Sequence, residues 1–115
     1  MTEFNLRPDD PNCEDLAILW QTDEIDRLNT VLKDNGVADR VRRQAILEEF
    51  FFHLATRLDA SSPGLEHNEK EYIPRLVFEE PGEAPTILIS DQYDLHDYTH
   101  SDIFNIMNAE EHEAR

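Results

Sequence analysis

The sequence predicts an α+β domain: helices first, then a β-hairpin, then one closing helix. Three observations carry this. Apolar residues recur at helical spacing between residues 13 and 58. They change to alternation between 72 and 90, around a Pro/Gly-rich turn. A helix-start pattern then stands at Thr99–Asp102, ahead of Ile103, Phe104, Ile106 and Met107. Helices and strands segregated in this way favour α+β over an alternating parallel sheet.

Residues 1–11 read as a polar, proline-containing arm, and 112–115 as a second one, with a single domain over 1–115. Asp10-Pro11 suits a helix start, with aspartate as cap and proline in the first turn. Leu16, Leu19 and Trp20 then share a face. The next apolar set is Ile25, Leu28, Val31 and Leu32, and its centre lies about 130° around the helix from the first. A break at Gln21-Thr22 accounts for that jump, with Thr22 as cap and Asp23 and Glu24 in the positive first turn. The expectation is therefore two helices, at about 13–20 and 23–34, stopped by Asn35-Gly36.

The clearest helix spans about 38–58, with Leu47, Phe50, Phe51, Leu54, Ala55 and Leu58 as its core stripe. Arg40, Arg42 and Arg43 oppose the helix dipole in its first turns. They are expected to answer carboxylates elsewhere, in the plainest case as surface ion pairs. Phe52 falls off the stripe, beside Val41 and Ala45, and either packs on a second side or meets a partner.

Residues 59–71 read as a polar loop. Strands follow at about 72–80 and 85–90, joined by Glu80-Pro81-Gly82-Glu83-Ala84-Pro85. In that reading Leu76 and Phe78 share one face of their strand, and Ile87 and Ile89 one face of theirs, with Val77 and Leu88 opposite. The Thr99-His100-Ser101-Asp102 box places the last helix at about 100–111, leaving His96 in the preceding loop.

Charge narrows the function. Twenty-six acids against ten bases give a formal charge of −16, which repels nucleic acid and anionic membranes and favours a basic protein partner. One cysteine, Cys13, excludes an internal disulfide. The N-terminus has no apolar leader, and no run approaches the roughly 20 apolar residues of a membrane span, so a cytoplasmic location is expected. Three scattered glycines form no phosphate cradle, and Cys13 lies among acids that oppose thiolate formation. No catalytic motif is present, no cofactor is implied, and the expectation is a non-enzyme.

The acidity is uneven. Residues 1–60 hold 13 acids and 7 bases, whereas Leu76–Ala114 holds 10 acids and no lysine or arginine. Tyrosines, which are favoured at interfaces, lie within that stretch. The candidate partner-binding set is therefore Glu79, Glu80, Asp91, Tyr93, Asp94, Asp97 and Tyr98. The expected function is an acidic binding protein of the inhibitor, immunity-protein, antitoxin or DNA-mimic type, in which carboxylates stand where phosphates would. A solvated acidic end is the plainer reading of the same residues. Two other classes stay open. One is an oligomerising domain, such as a homodimer, using Val41 with Phe52 and Val77 with Leu88. The other is a metal-binding protein using His96, His100 and nearby aspartates. His96 and His100 are four residues apart but lack the adjacent glutamate of the metalloprotease motif.

Overall fold

The computed structural model describes residues 3–90 and 94–113, with side chains to residue 110. It is an α+β fold with the elements β1 (Asn5–Pro8), α1 (Asn12–Asp34), α2 (Arg40–Leu58), β2 (Leu65–His67), β3 (Lys70–Tyr72), β4 (Phe78–Glu80), β5 (Thr86–Ile89) and α3 (His96–Glu113). The helix α3 packs against both α1 and α2. The sheet order is β1-β5-β4, with β1 parallel and β4 antiparallel to β5. The strands β2 and β3 form a separate hairpin.

The expected break at Gln21-Thr22 does not occur, and α1 is one helix of 23 residues. The reason lies in its buried residues: Cys13, Ala17, Gln21, Ile25 and Asn29, every fourth position. Four residues turn a helix by about 400°, so such a row drifts about 40° per step and about 160° over its length. The apolar phase jump is this drift. The same spacing recurs in α2, where Arg43, Leu47, Phe51 and Ala55 are buried. It recurs at Leu95, Thr99, Ile103 and Met107 around α3, which are at most 1% exposed. Rows at i±4 are the ridges of the commonest helix-packing class.

Two apolar clusters result. One joins the start of α1 and the end of α2 to the sheet through Cys13, Ala17, Ala55, Leu88 and Leu95. The other is wholly helical, with Ile25, Leu47, Phe51, Ile103 and Met107. Polar residues on the rows bond to one another. Gln21 Nε2 donates to Asp102 Oδ2 at 3.0 Å, and Thr99 Oγ1 donates to Gln21 Oε1 at 3.2 Å. Thr99 is therefore a buried residue inside α3, which overturns its expected role as a cap and moves the helix start to His96. Arg43, 3% exposed, is no surface ion pair. Its Nε donates to Asn29 Oδ1 at 3.0 Å, and its Nη1 to the carbonyls of Val37 and Ala38 at 3.0 and 2.6 Å. Its Nη2 donates to Glu110 Oε1, whose other oxygen accepts from Asn29 Nδ2 at 3.0 Å.

The helix ends follow local chemistry. Asp10 Oδ1 accepts from Asn12 N at 2.8 Å, so Asp10 answers the first amide of α1, with Pro11 at the N-cap position. After α1, Gly36 adopts φ +88°, and Val37 N donates to Leu32 O while Gly36 N donates to Lys33 O, a Schellman stop. Asp39 caps α2 through Val41 N at 3.0 Å.

The β-region departs from expectation in three ways. Residues 5–8, expected in an arm, form β1 at the edge of the sheet. The expected loop over 59–71 holds most of the β2–β3 hairpin, which also takes Tyr72, the expected start of the next strand; Asn68 and Glu69 turn it at φ 51° and 65°, as a two-residue type I′ turn requires. A Cβ on Gly64 would come within 2.6 Å of Tyr72 O, so glycine is needed where the chain enters that hairpin. The later hairpin is also shorter, and it pairs Phe78 with Leu88 and Glu79 with Ile87. Leu88, 4% exposed, thus shares the core face with Phe78, and no Val77–Leu88 patch faces outward. Of the other expected apolar patch, Val41 is exposed at 77%, whereas Phe52, 39% exposed, packs beside the rings of His96 and His100 on α3. Phe50, expected in the stripe, is 53% exposed.

Two outcomes test this packing. Replacing Gln21 with leucine removes one of the hydrogen bonds to buried Asp102, which keeps that of Thr22, and a hydrogen bond to a charged group contributes about 1.5–3 kcal/mol. The urea midpoint should fall accordingly; an unchanged midpoint would show that Asp102 does not depend on Gln21. The second concerns acid. The Asn29 hydrogen bond holds the Glu110 carboxyl below its usual range against desolvation, helped by the charges of Arg43, Lys33 and Arg40. A folded value below the unfolded one gives stability that is present above the unfolded value and lost as pH falls through the folded one. Glu110→Gln should therefore flatten the acid limb of the stability profile below about pH 5 while lowering stability at neutral pH.

Candidate functional site

The described candidate residues lie at the sheet-bearing end of the molecule. Glu79 and Glu80 are exposed on β4. Asp94 and Asp97 are exposed at the start of α3. Asp91 and Tyr93 lie outside the described residues. Tyr98 is not a free aromatic anchor: its hydroxyl donates to Glu14 Oε1 in the first turn of α1. That bond, with weaker contributions from burial and from the charges of Glu14, Asp97 and Asp15, raises the phenol above its ordinary value. The contact ties the start of α3 to the start of α1, and Asp15, next to Glu14, lies beside Glu79 and Glu80. The first turn of α1 therefore lies between the described acids of β4 and those at the start of α3.

Between α1 and β4 runs an open groove of about 490 Å³. Its floor is Leu16, Leu19, Phe78 and Leu88, and its rim carries Asp15, Glu79 and Glu80. Among the described residues, no lysine or arginine lines it; Arg7 of β1 reaches Glu80 at 3.9 Å. Asp15 is not among the candidate residues read from the sequence, and Leu16 and Leu19 appear there only as part of a helix face. The signal was present, since Asp15, Leu16 and Leu19 fall on adjoining faces of one helix, but only the sheet's position shows what lies opposite.

A second constellation surrounds His96. Asp59, just past the end of α2, is buried, and its Oδ2 accepts from His96 N at 3.1 Å. The same oxygen lies 2.5 Å from His96 Nδ1. Asp59 Oδ1 accepts from Ser61 N at 3.1 Å. Asp59 therefore caps α3 from another helix, the task expected of Thr99. Burial pushes the Asp59 carboxyl up, but the hydrogen bonds from Ser61 and His96 together hold it below the usual carboxylate range. His96 is raised, chiefly by its hydrogen bond to Asp59 and against desolvation, with added pull from Asp59, Asp97 and Asp94. Its Nε2 faces Asp97 Oδ1 at 3.3 Å.

His96 and His100 both lie on α3, which corrects the placement of His96 in a loop. They do not converge on one point. His100 stacks on Phe52 at 6.3 Å between centroids, and its Nδ1 is 3.7 Å from Glu48. Phe52 also meets His96 edge-on at 6.1 Å.

The nearby serine does not make this a nucleophilic site. Ser61 Oγ is 3.4 Å from His96 Nδ1, the nitrogen already facing Asp59. A Ser-His-Asp relay needs the serine and the acid on opposite ring nitrogens. Cys13 is buried, and its thiol is raised by that burial first and by Asp10 and Asp9 next, so it is a packing residue.

Asp59→Ala should expose the first amides of α3. Loss of a capping carboxylate costs about 0.5–2 kcal/mol. Hydrogen exchange at His96–Tyr98 should quicken more than at Ile103–Met107. Equal quickening along the helix would show that Asp59 acts through global stability and not as a cap.

Comparison with protein-family models, curated proteins and solved structures finds no match to this chain. Among the described residues, no helix is long and apolar enough to cross a membrane.

Proposed function

We propose that the chain is a non-enzymatic binding protein that engages a basic, amphipathic segment of another protein in the groove between α1 and β4. The observation that carries this reading is the groove's composition: among the described residues, its lining joins apolar side chains to three carboxylates and holds no base. The floor offers Leu19, 66% exposed, to apolar anchors, and the rim offers Asp15, Glu79 and Glu80 to lysines or arginines. Carboxylates on the rim steer a cationic partner and fix its register, while apolar contact at the centre supplies most of the affinity. A formal charge of −16 extends the attraction beyond the contact. Inhibitors of nucleases and DNA mimics use the same logic, with carboxylates in place of phosphates.

A synthetic amphipathic Leu/Lys helix is the direct probe, titrated against the protein at about 50 mM and 300 mM salt, which bracket a Debye length near 10 Å. Binding should weaken at least tenfold at the higher salt. Glu79→Lys with Glu80→Lys should weaken it by a similar factor at low salt, and Leu19→Asp should do so at both salt concentrations. If polylysine binds as tightly as the amphipathic peptide, or if these variants bind like the parent, the groove is not the site.

A further inference from the structure

We infer that Asp59, Asp94 and His96 form a binding site for a divalent transition-metal ion of the zinc class. The chain carries 26 acids and 5 histidines. Among the described residues, these three are the one group of such side chains whose ligand atoms converge, all lying within 4.8 Å of one another. They arrive from three places: the end of α2, the segment before α3 and the first residue of α3. The site is therefore a product of the fold and not of local acidity.

The donor set selects the metal. An imidazole with two carboxylates suits zinc and its first-row neighbours, whereas calcium and magnesium favour oxygen alone. Two atoms bound to one ion at about 2.1 Å in tetrahedral geometry stand about 3.4 Å apart. His96 Nδ1 and Asp59 Oδ2, at 2.5 Å, need to part by less than an ångström, a movement available to a half-buried ring. If Nδ1 binds the ion, Nε2–H is left to donate to Asp97 Oδ1, now 3.3 Å away. A carboxylate on the far ring nitrogen is the usual partner of a metal-bound histidine, since it fixes the ring and strengthens the donor. The start of α3 carries a partial positive charge, which opposes a cation. Asp59, Asp94 and Asp97 offset it. His100 has no part here, because its ring is stacked on Phe52. Asp94 is exposed, so the ion can enter from solvent, and coordination positions beyond the three protein ligands remain for water.

Untagged full-length protein titrated with Zn²⁺ against a chelating dye provides the test, with Co²⁺ as a spectroscopic probe of the ligand field. One tight equivalent per chain is expected, not displaced by excess Mg²⁺. Asp94→Asn and His96→Gln should each weaken it at least tenfold, and Asp97→Ala by about tenfold, the lower end for an outer carboxylate. Glu83→Gln, which removes an acid elsewhere, should change nothing. Thermal unfolding of metal-free Asp94→Asn should match the parent, separating lost ligation from lost folding. Several weak equivalents that follow total charge would overturn the site, as would a tight equivalent that survives both ligand variants. Displacement by equimolar Mg²⁺ would overturn the metal class.

Discussion

Arg43 is the group around which the helical end is organised. A guanidinium 3% exposed must have its donors answered, or its desolvation would unfold the domain. The partners come from three segments. Asn29 of α1 takes Nε, the turn carbonyls of Val37 and Ala38 take Nη1, and Glu110 of α3 takes Nη2. Asn29 also donates to Glu110, which closes the network. The α1–α2 turn and all three helices are thereby held in one register. Breaking a buried pair by removing one partner costs about 3–5 kcal/mol, a large part of a small domain's stability. Among the described residues, no buried side-chain nitrogen or oxygen is left without a partner.

The other end is built differently. There the rows on α1 and α2 turn to face the sheet, and Leu88 and Phe78 complete the apolar cluster. Asp59 sits one step beyond Ala55 on the row of α2, and it bonds the first residue of α3. The two ends thus use one device. Each places a charged residue at the end of a buried row and satisfies it with groups from another helix. The arginine end is saturated and turned inward. The aspartate end opens to solvent beside Asp94 and Asp97, and the surface chemistry of the molecule collects near it.

Much of the helical fold was legible because its signals are local. Asp10-Pro11, Asn35-Gly36 and the stripe through Leu47 and Phe51 act within a few residues of themselves. The break in α1 was misread because Gln21 and Asn29 count as surface residues in any hydrophobic pattern. Here they are 1% and 2% exposed. Thr99-His100-Ser101-Asp102 has the spacing of a capping box, but the same hydroxyl and carboxylate serve Gln21 across the core. Alternation could not phase β5 against β4, because Ile87, Leu88 and Ile89 are all apolar; Leu88, expected opposite to Phe78, is its partner on the core face. The sites were legible only in part. Glu79, Glu80, Asp94, Asp97 and His96 were named from charge density and spacing, whereas Asp15 and Asp59 were not.

By itself, the sequence determined the class of fold, the outer ends of α1, the extent of α2 and the concentration of acid in the last forty residues. These depend on residue type and on neighbours along the chain. The tertiary structure decided which polar residues are buried, the register of β4 on β5, and the pairing of Asp59 with His96. It also decided which acids rim an apolar groove. Those outcomes depend on what lies across the core, and a row at every fourth residue drifts so far around its helix that one chain-local pattern cannot show which neighbour each member meets.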